Sequence, residues 1–217
     1  MINIENYLSI IEELKVYNAE LVAVSKKKPV SDIKDLNKLG QKFFGENYVQ
    51  ELVEKNSSVE GVDWHFIGHL QTKKVKQITS FVSLVHSIDS VKLLHEVEKQ
   101  AKLVNRKQEC LIQVHIASEE SKTGFSKEEA IELLEGYDHS GNVMIRGLMG
   151  MATLTDDTQI IRKEFKILRQ LFEKYKSSSF DILSMGMTSD YKIALEEGST
   201  MVRIGSAIFG ERIKSKQ

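Results

Sequence analysis

The chain has 217 residues, of which 41% are hydrophobic and 28% are charged, a composition typical of a globular protein. A formal net charge of −1 gives no basis for expecting a nucleic acid or an acidic membrane surface as a partner. The one cysteine, Cys110, excludes an internal disulfide; with no signal-peptide pattern and no long apolar run, the sequence predicts a cytoplasmic protein without a membrane span.

The first predicted element is an amphipathic helix, and eight short apolar runs that predict strands follow it. The apolar side of the helix is formed by Ile4, Leu8, Ile11 and Leu14. The predicted strands are Leu21–Ser25, Phe43–Gly45, Trp64–Ile67, Phe81–Ile88, Cys110–Ile116, Met144–Met151, Phe180–Met185 and Met201–Ile204.

Helical spacing recurs between these runs, and Ser126 opens a capping box at the start of one of the predicted helices. A second helix has Asp156 and Asp157 in its acidic first turn. The apolar stripes are Ile33, Leu36 and Leu39; Val91, Leu94, Val97, Ala101 and Val104; Ile131 and Leu134; Ile161, Phe165, Leu168, Phe172 and Tyr175; and Tyr191, Ala194 and Leu195.

Strands that alternate with helices predict an α/β fold with a parallel sheet and right-handed crossovers. Eight repeats favour a closed (β/α)₈ TIM barrel over an open doubly wound sheet, which usually has fewer strands. No linker rich in proline, glycine or serine divides the chain. We therefore predict a single domain over residues 1–217, with an extra helix before the barrel.

One lysine, Lys26, follows the first predicted strand directly. Ligands of parallel α/β folds bind at the carboxyl ends of the strands. Because side chains alternate along a strand, Lys26 shares a face with Val22 and Val24, whereas Lys27 points to the other side. Partial burial and nearby positive charge favour the neutral amine of a lysine, so Lys26 is a candidate nucleophile.

The segments after the last two predicted strands combine glycines with hydroxyl residues, in Met187-Thr188-Ser189 and in Gly205-Ser206. Barrel enzymes often bind phosphate there, since glycine lets backbone N–H groups approach and hydroxyls add donors. A lysine amine opposite a phosphate site suggests a Schiff base with a phosphorylated carbonyl compound. Pyridoxal 5′-phosphate (PLP) and the sugar phosphate of an aldolase both meet that description.

Seven motifs together resemble those of the pyridoxal phosphate homeostasis proteins. They are Ala23–Pro29, Phe44–Glu51, Trp64–Gln71, His86–Ser90, Arg146–Met149, Ser184–Met187 and Gly198–Gly205. The resemblance runs from Leu21 to Gly210 in the expected order. It implies a barrel like the N-terminal domain of alanine racemase, and a non-catalytic role in buffering or delivering PLP.

The resemblance also implies roles for single residues. Lys26 would form the Schiff base and Asn47 would flank the ring; the remaining cofactor-binding residues would be Ser184, Met187, Thr188, Arg203, Gly205 and Ser206. Arg203 would face the pyridine nitrogen and, as a permanent donor, keep it unprotonated, which weakens the ring as an electron sink. Read without the resemblance, Arg203 is equally an ion-pair residue of the barrel.

The sequence departs from the family pattern at three positions. At Thr188 the family more often has serine, and at Ser206 it more often has threonine, so a hydroxyl is kept at both positions. Lys73 stands where many members have asparagine. No catalytic residue is assigned, because the resemblance implies a carrier. No metal-binding residue is assigned either: the four-residue spacing of His65 and His69 suits a metal only on a helix, and the two lie in a predicted strand and loop.

Two enzymes are the alternatives to a carrier. A PLP-dependent amino-acid racemase needs acid/base groups on both faces of the substrate carbon. In alanine racemases one of these groups is a tyrosine from an additional β-domain of the partner subunit. In this chain Tyr48 is the candidate substitute for that tyrosine. A sugar-phosphate aldolase needs an acidic residue at a strand end, and Glu46 is the candidate.

We favour the carrier, acting as a monomer that binds PLP and passes it to PLP-dependent apoenzymes. Lys28, Lys214 and Lys216 have no assigned role, and Lys73, Lys74 and Lys76 predict a solvated helix face.

Overall fold

Eight parallel strands close into a barrel within residues 2–119, 122–138 and 140–210, the part of the chain that the computed structural model describes. Lys214 and Lys216 lie outside these residues. The strands are β1 (Glu20–Val24), β2 (Phe43–Glu46), β3 (Asp63–Phe66), β4 (Leu84–Ile88), β5 (Gln108–Gln113), β6 (Val143–Met149), β7 (Ile182–Ser184) and β8 (Met201–Ile204).

Helices follow or precede the strands on the outside. They are α1 (Ile4–Tyr17), α2 (Val30–Lys38), α3 (Val49–Asn56), α4 (Val91–Leu103), α5 (Lys127–Gly136), α6 (Thr158–Tyr175), α7 (Tyr191–Glu196) and α8 (Ser206–Phe209), with a 3₁₀ helix over Thr72–Gln77. Across the described residues, no helix combines the length and the apolar character that crossing a bilayer requires.

The barrel is closed by β1, which pairs with β2 on one side and with β8 on the other. The register with β8 runs from Glu20 opposite Met201 to Ala23 opposite Ile204. This closure confirms the predicted (β/α)₈ barrel and excludes the open sheet. It also brings the carboxyl ends of the first and last strands together, although 180 residues of chain separate them.

Side-chain alternation gives the barrel two apolar regions. Leu21 and Ala23 belong to the large core shared with the helices, whereas Val22 between them packs inside the barrel. The inner apolar layer consists of Val22, Leu84, Leu111, Met149 and Met201. Strands buried on both faces explain why they appear in the sequence as continuous apolar runs.

Several predicted strands are longer than the observed ones. Phe81 and Val82 donate to the carbonyl of Ile78 in a turn, so β4 begins only at Leu84. Val114 still donates to the Met149 carbonyl of β6, but the chain then turns to Phe125, where His115 N–H donates, and β5 ends at Gln113. The helices α3 and α8 were not predicted.

The buried face of α1 differs from the predicted one. Tyr7, Ile10 and Leu14 are buried, whereas Ile4 and Leu8 are 46% and 51% exposed. The backbone N–H of Asn3, which lies on the Tyr7 face, donates to the Ile208 carbonyl at 2.7 Å. Asn6 also contacts α8, donating from Nδ2 to the Ala207 carbonyl at 3.2 Å, so the start of α1 is held against α8.

The helix starts agree more closely with the sequence. The capping box of Ser126 and Glu129 is present at the start of α5. At α6, Asp157 is the N-cap rather than a first-turn residue, because its side chain accepts from the backbone N–H groups of Gln159 and Ile160.

Candidate functional site

A cavity of about 550 Å³ lies at the carboxyl ends of the strands, where the segments after β1, β2, β7 and β8 meet. Its lining includes seven of the eight predicted site residues: Lys26, Asn47, Met187, Thr188, Arg203, Gly205 and Ser206. The eighth, Ser184, is fully buried and contacts Arg203. The lining is completed by Val24, Lys28, Ile67, Met151, Leu154, Ser189 and Gly210.

Lys26 lies in a tight turn just after β1 and is partly buried. Val24 lines the same cavity, in line with strand alternation, although Lys26 itself is two residues beyond the strand. Lys27 adopts a left-handed conformation, with φ of 60°, and its Nζ lies 5.8 Å from the centre of the Tyr48 ring, away from the cavity lining. The turn thus separates two adjacent lysines by environment.

A buried ion-pair cluster supports this turn from the side of α3. Lys55 Nζ donates to Glu46 Oε1 at 2.7 Å, to Glu51 Oε1 at 2.7 Å and to the Ser25 carbonyl at 2.8 Å. Ser25 Oγ donates to the same Glu46 oxygen at 2.6 Å, and Lys27 N–H donates to Glu51 Oε1 at 2.5 Å. Both residues flanking Lys26 are therefore held by α3.

Glu46 is fully buried in this cluster and is not part of the cavity lining. Burial raises the pKa of its carboxyl, while Lys55 and Ser25 act in the opposite direction. The predicted acid of the aldolase alternative is thus committed to Lys55. Tyr48, the residue considered for a racemase, is 49% exposed at the start of α3 and also lies off the lining.

Arg203 lies in β8 and is only 4% exposed, at the bottom of the cavity. Its Nη1 donates to Ser184 Oγ at 2.6 Å and its Nη2 donates to the Gly150 carbonyl at 3.0 Å. Burial lowers the pKa of Arg203 to about 10, although Asp190 opposes the change. Arg203 therefore remains a cation at neutral pH, and these two hydrogen bonds go to uncharged acceptors rather than to an ion-pair partner.

The opposite wall is formed by the segments after β7 and β8. The Gly205 N–H donates to Thr188 Oγ1 at 3.3 Å, so the Thr188 hydroxyl keeps its own proton for another acceptor. Within the described part of the chain, the backbone N–H groups of Thr188 and Ser189 have no acceptor. Unpaired donors of this kind, with the hydroxyl of Ser206 beside them, suit an anion.

Asn47 follows β2, and its Oδ1 is buried without a hydrogen-bond partner in the described structure. A Cβ atom at Gly68 would lie 2.2 Å from the Asn47 carbonyl oxygen, so only glycine allows this approach of the two segments. Gly68 thereby fixes the backbone that carries Asn47. An unpartnered amide oxygen at a cavity wall is available to a bound group.

The two histidines with metal-ligand spacing lie in different environments. His65 is buried, with its Nδ1 3.0 Å from His86 Nε2, whereas His69 is exposed and pairs with Asp89 at 2.9 Å. Of the three lysines predicted for a solvated face, Lys73 and Lys76 are exposed on the 3₁₀ helix, whereas Lys74 is partly buried.

Sequence reasoning missed the apolar part of the lining, Ile67, Met151 and Leu154. All three come shortly after strand ends, which is the signal that marks them in hindsight. Lys28, which had no assigned role, donates from Nζ to the Phe209 and Gly210 carbonyls at 2.7 and 3.0 Å. It joins the turn after β1 to the end of α8.

A closed barrel with a lysine after its first strand and unpaired donors after its seventh is the arrangement of an alanine racemase-like barrel. The family model "Alanine racemase, N-terminal domain" matches residues 3–213. A pyridoxal phosphate homeostasis protein of Aquifex aeolicus (strain VF5) is 39% identical over 199 residues, covering 89% of this chain and 87% of the relative. Its counterpart in Pasteurella multocida (strain Pm70) is 40% identical over 205 residues, covering 91% and 88%.

Solved structures of related proteins have the same fold. PipY of Synechococcus elongatus PCC7942, without PLP, has a TM-score of 0.88 at 30% identity, covering 95% of this chain and 99% of PipY. PipY with PLP bound has a TM-score of 0.84 at 28% identity, with the same coverage. An alanine racemase of Clostridium difficile 630 shares the fold, with a TM-score of 0.78 at 13% identity over 99% of this chain and 58% of the racemase. The chain belongs to the family of the pyridoxal phosphate homeostasis proteins.

Proposed function

We propose that this protein binds PLP in the cavity at the carboxyl ends of the strands, with Lys26 as the covalent attachment point, and serves PLP homeostasis as a carrier. The observation that carries the proposal is the arrangement of Lys26, Arg203 and the unpaired donors of Thr188 and Ser189 around one cavity. The names of the curated relatives and the PLP-bound PipY structure support it.

The residues present fit this cofactor group by group. Cavities of roughly 300–1,000 Å³ are the usual size for small ligands, and this one is about 550 Å³. PLP has an aldehyde, a pyridine nitrogen and a phosphate, and the cavity has an amine, a guanidinium and a wall of N–H and O–H donors. The unpartnered Asn47 amide oxygen would gain a donor when the cavity is filled.

When bound, PLP supplies an aldehyde that reacts with primary amines and a ring that withdraws electrons. Lys26 would provide the amine, from a partly buried position that its exposed neighbour Lys27 lacks. Arg203 would donate an N–H to the pyridine nitrogen; as a cation with a pKa of about 10 it has no proton acceptor to offer, so that nitrogen stays unprotonated. Thr188, Ser206 and the unpaired backbone N–H groups of Thr188 and Ser189 would hold the phosphate, because those of Met187 and Gly205 already donate to Asp190 Oδ1 and Thr188 Oγ1.

The chemistry of the lining favours a carrier over an enzyme. Among the described lining residues the ionisable side chains are Lys26, Lys28 and Arg203. Lys28 is engaged with two backbone carbonyls, and neither Glu46 nor Tyr48 reaches the cavity. Racemisation needs a proton donor and acceptor on opposite faces of the substrate carbon, and an aldolase needs an acidic group beside its lysine. This lining provides no such pair.

We further propose that residues 1–217 act as one PLP-binding domain, as a cytoplasmic monomer that transfers PLP to apoenzymes. The single buried cysteine suits a reducing compartment.

The decisive experiment is adduct mapping. Purified protein incubated with PLP should develop a visible absorption band that borohydride abolishes, and peptide mass spectrometry should then find the pyridoxyl group on Lys26. Lys26→Ala should abolish the band, whereas the matched Lys27→Ala variant should keep it. A pyridoxyl group on another lysine, or a colourless protein, would refute the proposal, and steady turnover of D- or L-amino acids would make the protein an enzyme.

A further inference from the structure

A line of buried polar side chains runs from Arg203 into the barrel interior. Arg203 Nη1 lies 2.6 Å from Ser184 Oγ, and this hydroxyl lies 3.0 Å from His86 Nδ1. His86 Nε2 in turn lies 3.0 Å from His65 Nδ1. All four side chains are at most 4% exposed, so an unmatched donor or acceptor among them would be costly.

The chemistry of Arg203 sets the direction of this line. A guanidinium only donates, so Ser184 Oγ must accept from it. The proton of the Ser184 hydroxyl then needs an acceptor, and the contact that offers one is His86 Nδ1. If His86 Nδ1 accepts, a neutral His86 has its proton on Nε2 and donates to His65 Nδ1. His65 must then have its own proton on Nε2.

Both imidazoles are neutral in this arrangement. Burial lowers the pKa of His65 to about 3 and that of His86 well below its ordinary value, where His65 and Arg203 add to the effect. A protonated His86 would place a second cation beside Arg203 and would have to donate to Ser184. The hydroxyl would then accept twice and its own proton would be unpaired.

His65 completes the line at the far end of the barrel. It lines a second cavity, of about 650 Å³, together with the side chains of Phe43, Asp63 and Glu20 at the amino ends of the strands. The ring centres of Phe43 and His65 are 5.1 Å apart. The four polar residues therefore form a line through the barrel interior, beside its apolar layer, between the two ends of the barrel.

We propose that His86 and His65 are positioning residues that fix the Arg203 guanidinium through Ser184. With Ser184 held as an acceptor for Nη1 and the Gly150 carbonyl for Nη2, the guanidinium plane has one orientation in the cavity that Arg203 lines, and its remaining N–H groups are left for a ligand there. The consequence for PLP, an oriented donor to the pyridine nitrogen, rests on the function proposed above.

Two measurements on the full chain without PLP test the arrangement itself. Nitrogen-15 NMR of the imidazoles should show His86 and His65 both neutral with the proton on Nε2. Rotation of the Arg203 guanidinium should be slow in the wild-type protein and faster in His86→Leu. A proton on His86 Nδ1, or unchanged rotation in His86→Leu, would overturn the proposal.

A matched set of variants tests the consequence for the cofactor. His86→Leu removes the acceptor for Ser184, and should raise the Kd for PLP by about fivefold and shift the visible band. His86→Asn keeps an acceptor at the Nδ1 position and should stay within about twofold of the wild type. Leu84→Val, on the same strand and the same inner face, should lower stability without moving the band.

The outcomes separate the two proposals. A wild-type protein that fails to take up PLP would refute the proposed function, while the NMR measurements would still decide the arrangement of the histidines. A wild-type protein that binds PLP, with His86→Leu equal to it in Kd and band position, would refute the positioning role alone.

Discussion

Replacing Lys55 by methionine would leave the Glu46 carboxylate buried without its counter-ion. The two side chains are 6% and 0% exposed and are joined at 2.7 Å, so water cannot compensate for the lost charge. Removal of one partner from a buried ion pair costs about 3–5 kcal/mol. For a chain of this length we expect a fall in Tm of roughly 10 °C.

The same substitution should weaken PLP binding, because Lys55 also donates to the Ser25 carbonyl beside Lys26. Thermal and urea unfolding would measure the free energy of unfolding, and a PLP titration would measure Kd. The exposed pair of Lys38 and Asp35, on α2, provides the matched control, and Lys38→Met should leave both quantities unchanged.

The double variant Glu46→Gln/Lys55→Met distinguishes lost charge balance from lost packing. Because the glutamine is neutral and still accepts from Ser25, we expect it to recover roughly half of the stability lost in Lys55→Met. A loss below about 1 kcal/mol in Lys55→Met, or a double variant no more stable than the single one, would refute the reasoning.

Three further predictions concern the cavity and the barrel interior. Thr188→Val and Ser206→Ala should each raise the Kd for PLP by about fivefold, measured by fluorescence titration, and should leave the Kd for pyridoxal, which lacks the phosphate, unchanged. An equal rise in Kd for both ligands would contradict the assignment of these hydroxyls to the phosphate. Gly68→Ala should lower the free energy of unfolding in urea by about 1–3 kcal/mol and weaken PLP binding, because the new Cβ would lie 2.2 Å from the Asn47 carbonyl oxygen. Gly136→Ala, whose Cβ would have no atom within 4 Å, should change neither quantity. Burial lowers the pKa values of His65 and His86, so below about pH 6.5 the unfolded chain binds more protons than the folded one. The free energy of unfolding should therefore be highest above that pH and should fall on acidification, and it should fall less in His65→Asn. A free energy of unfolding that stays constant from about pH 7.5 to 5 would contradict this.

The sequence allowed the barrel and the outline of the site to be predicted because both depend on local patterns. The alternation before Lys26 placed it at the strand ends, and the glycine and hydroxyl residues near Gly205 marked the opposite wall. The partners of Glu46 were not predictable in this way, since they depend on α3, which the sequence did not reveal. The face of α1 was misjudged because Leu8 and Tyr7 offer competing stripes, and tertiary contacts of the helix, such as those of Asn3 and Asn6 with α8, are not visible in the sequence.

The contacts of His86 were equally out of reach of sequence reasoning. Its partners His65 and Ser184 lie 21 and 98 residues away, and each is reached across the inside of the barrel. Hydrophobic periodicity reports which face of a strand is buried, and it contains no information on which polar groups meet there.

The pairing of β1 with β8 has a consequence for how the protein matures. The lysine turn is made early in synthesis and the donors opposite it are made much later, so a chain released before Thr188 would have the amine but none of those donors. Under the proposed function, uptake of PLP would therefore report that the barrel has closed, and by mass action it would favour the closed form. Contacts so distant along the chain form slowly, and under the proposed function bound PLP would stabilise the product of that slow step.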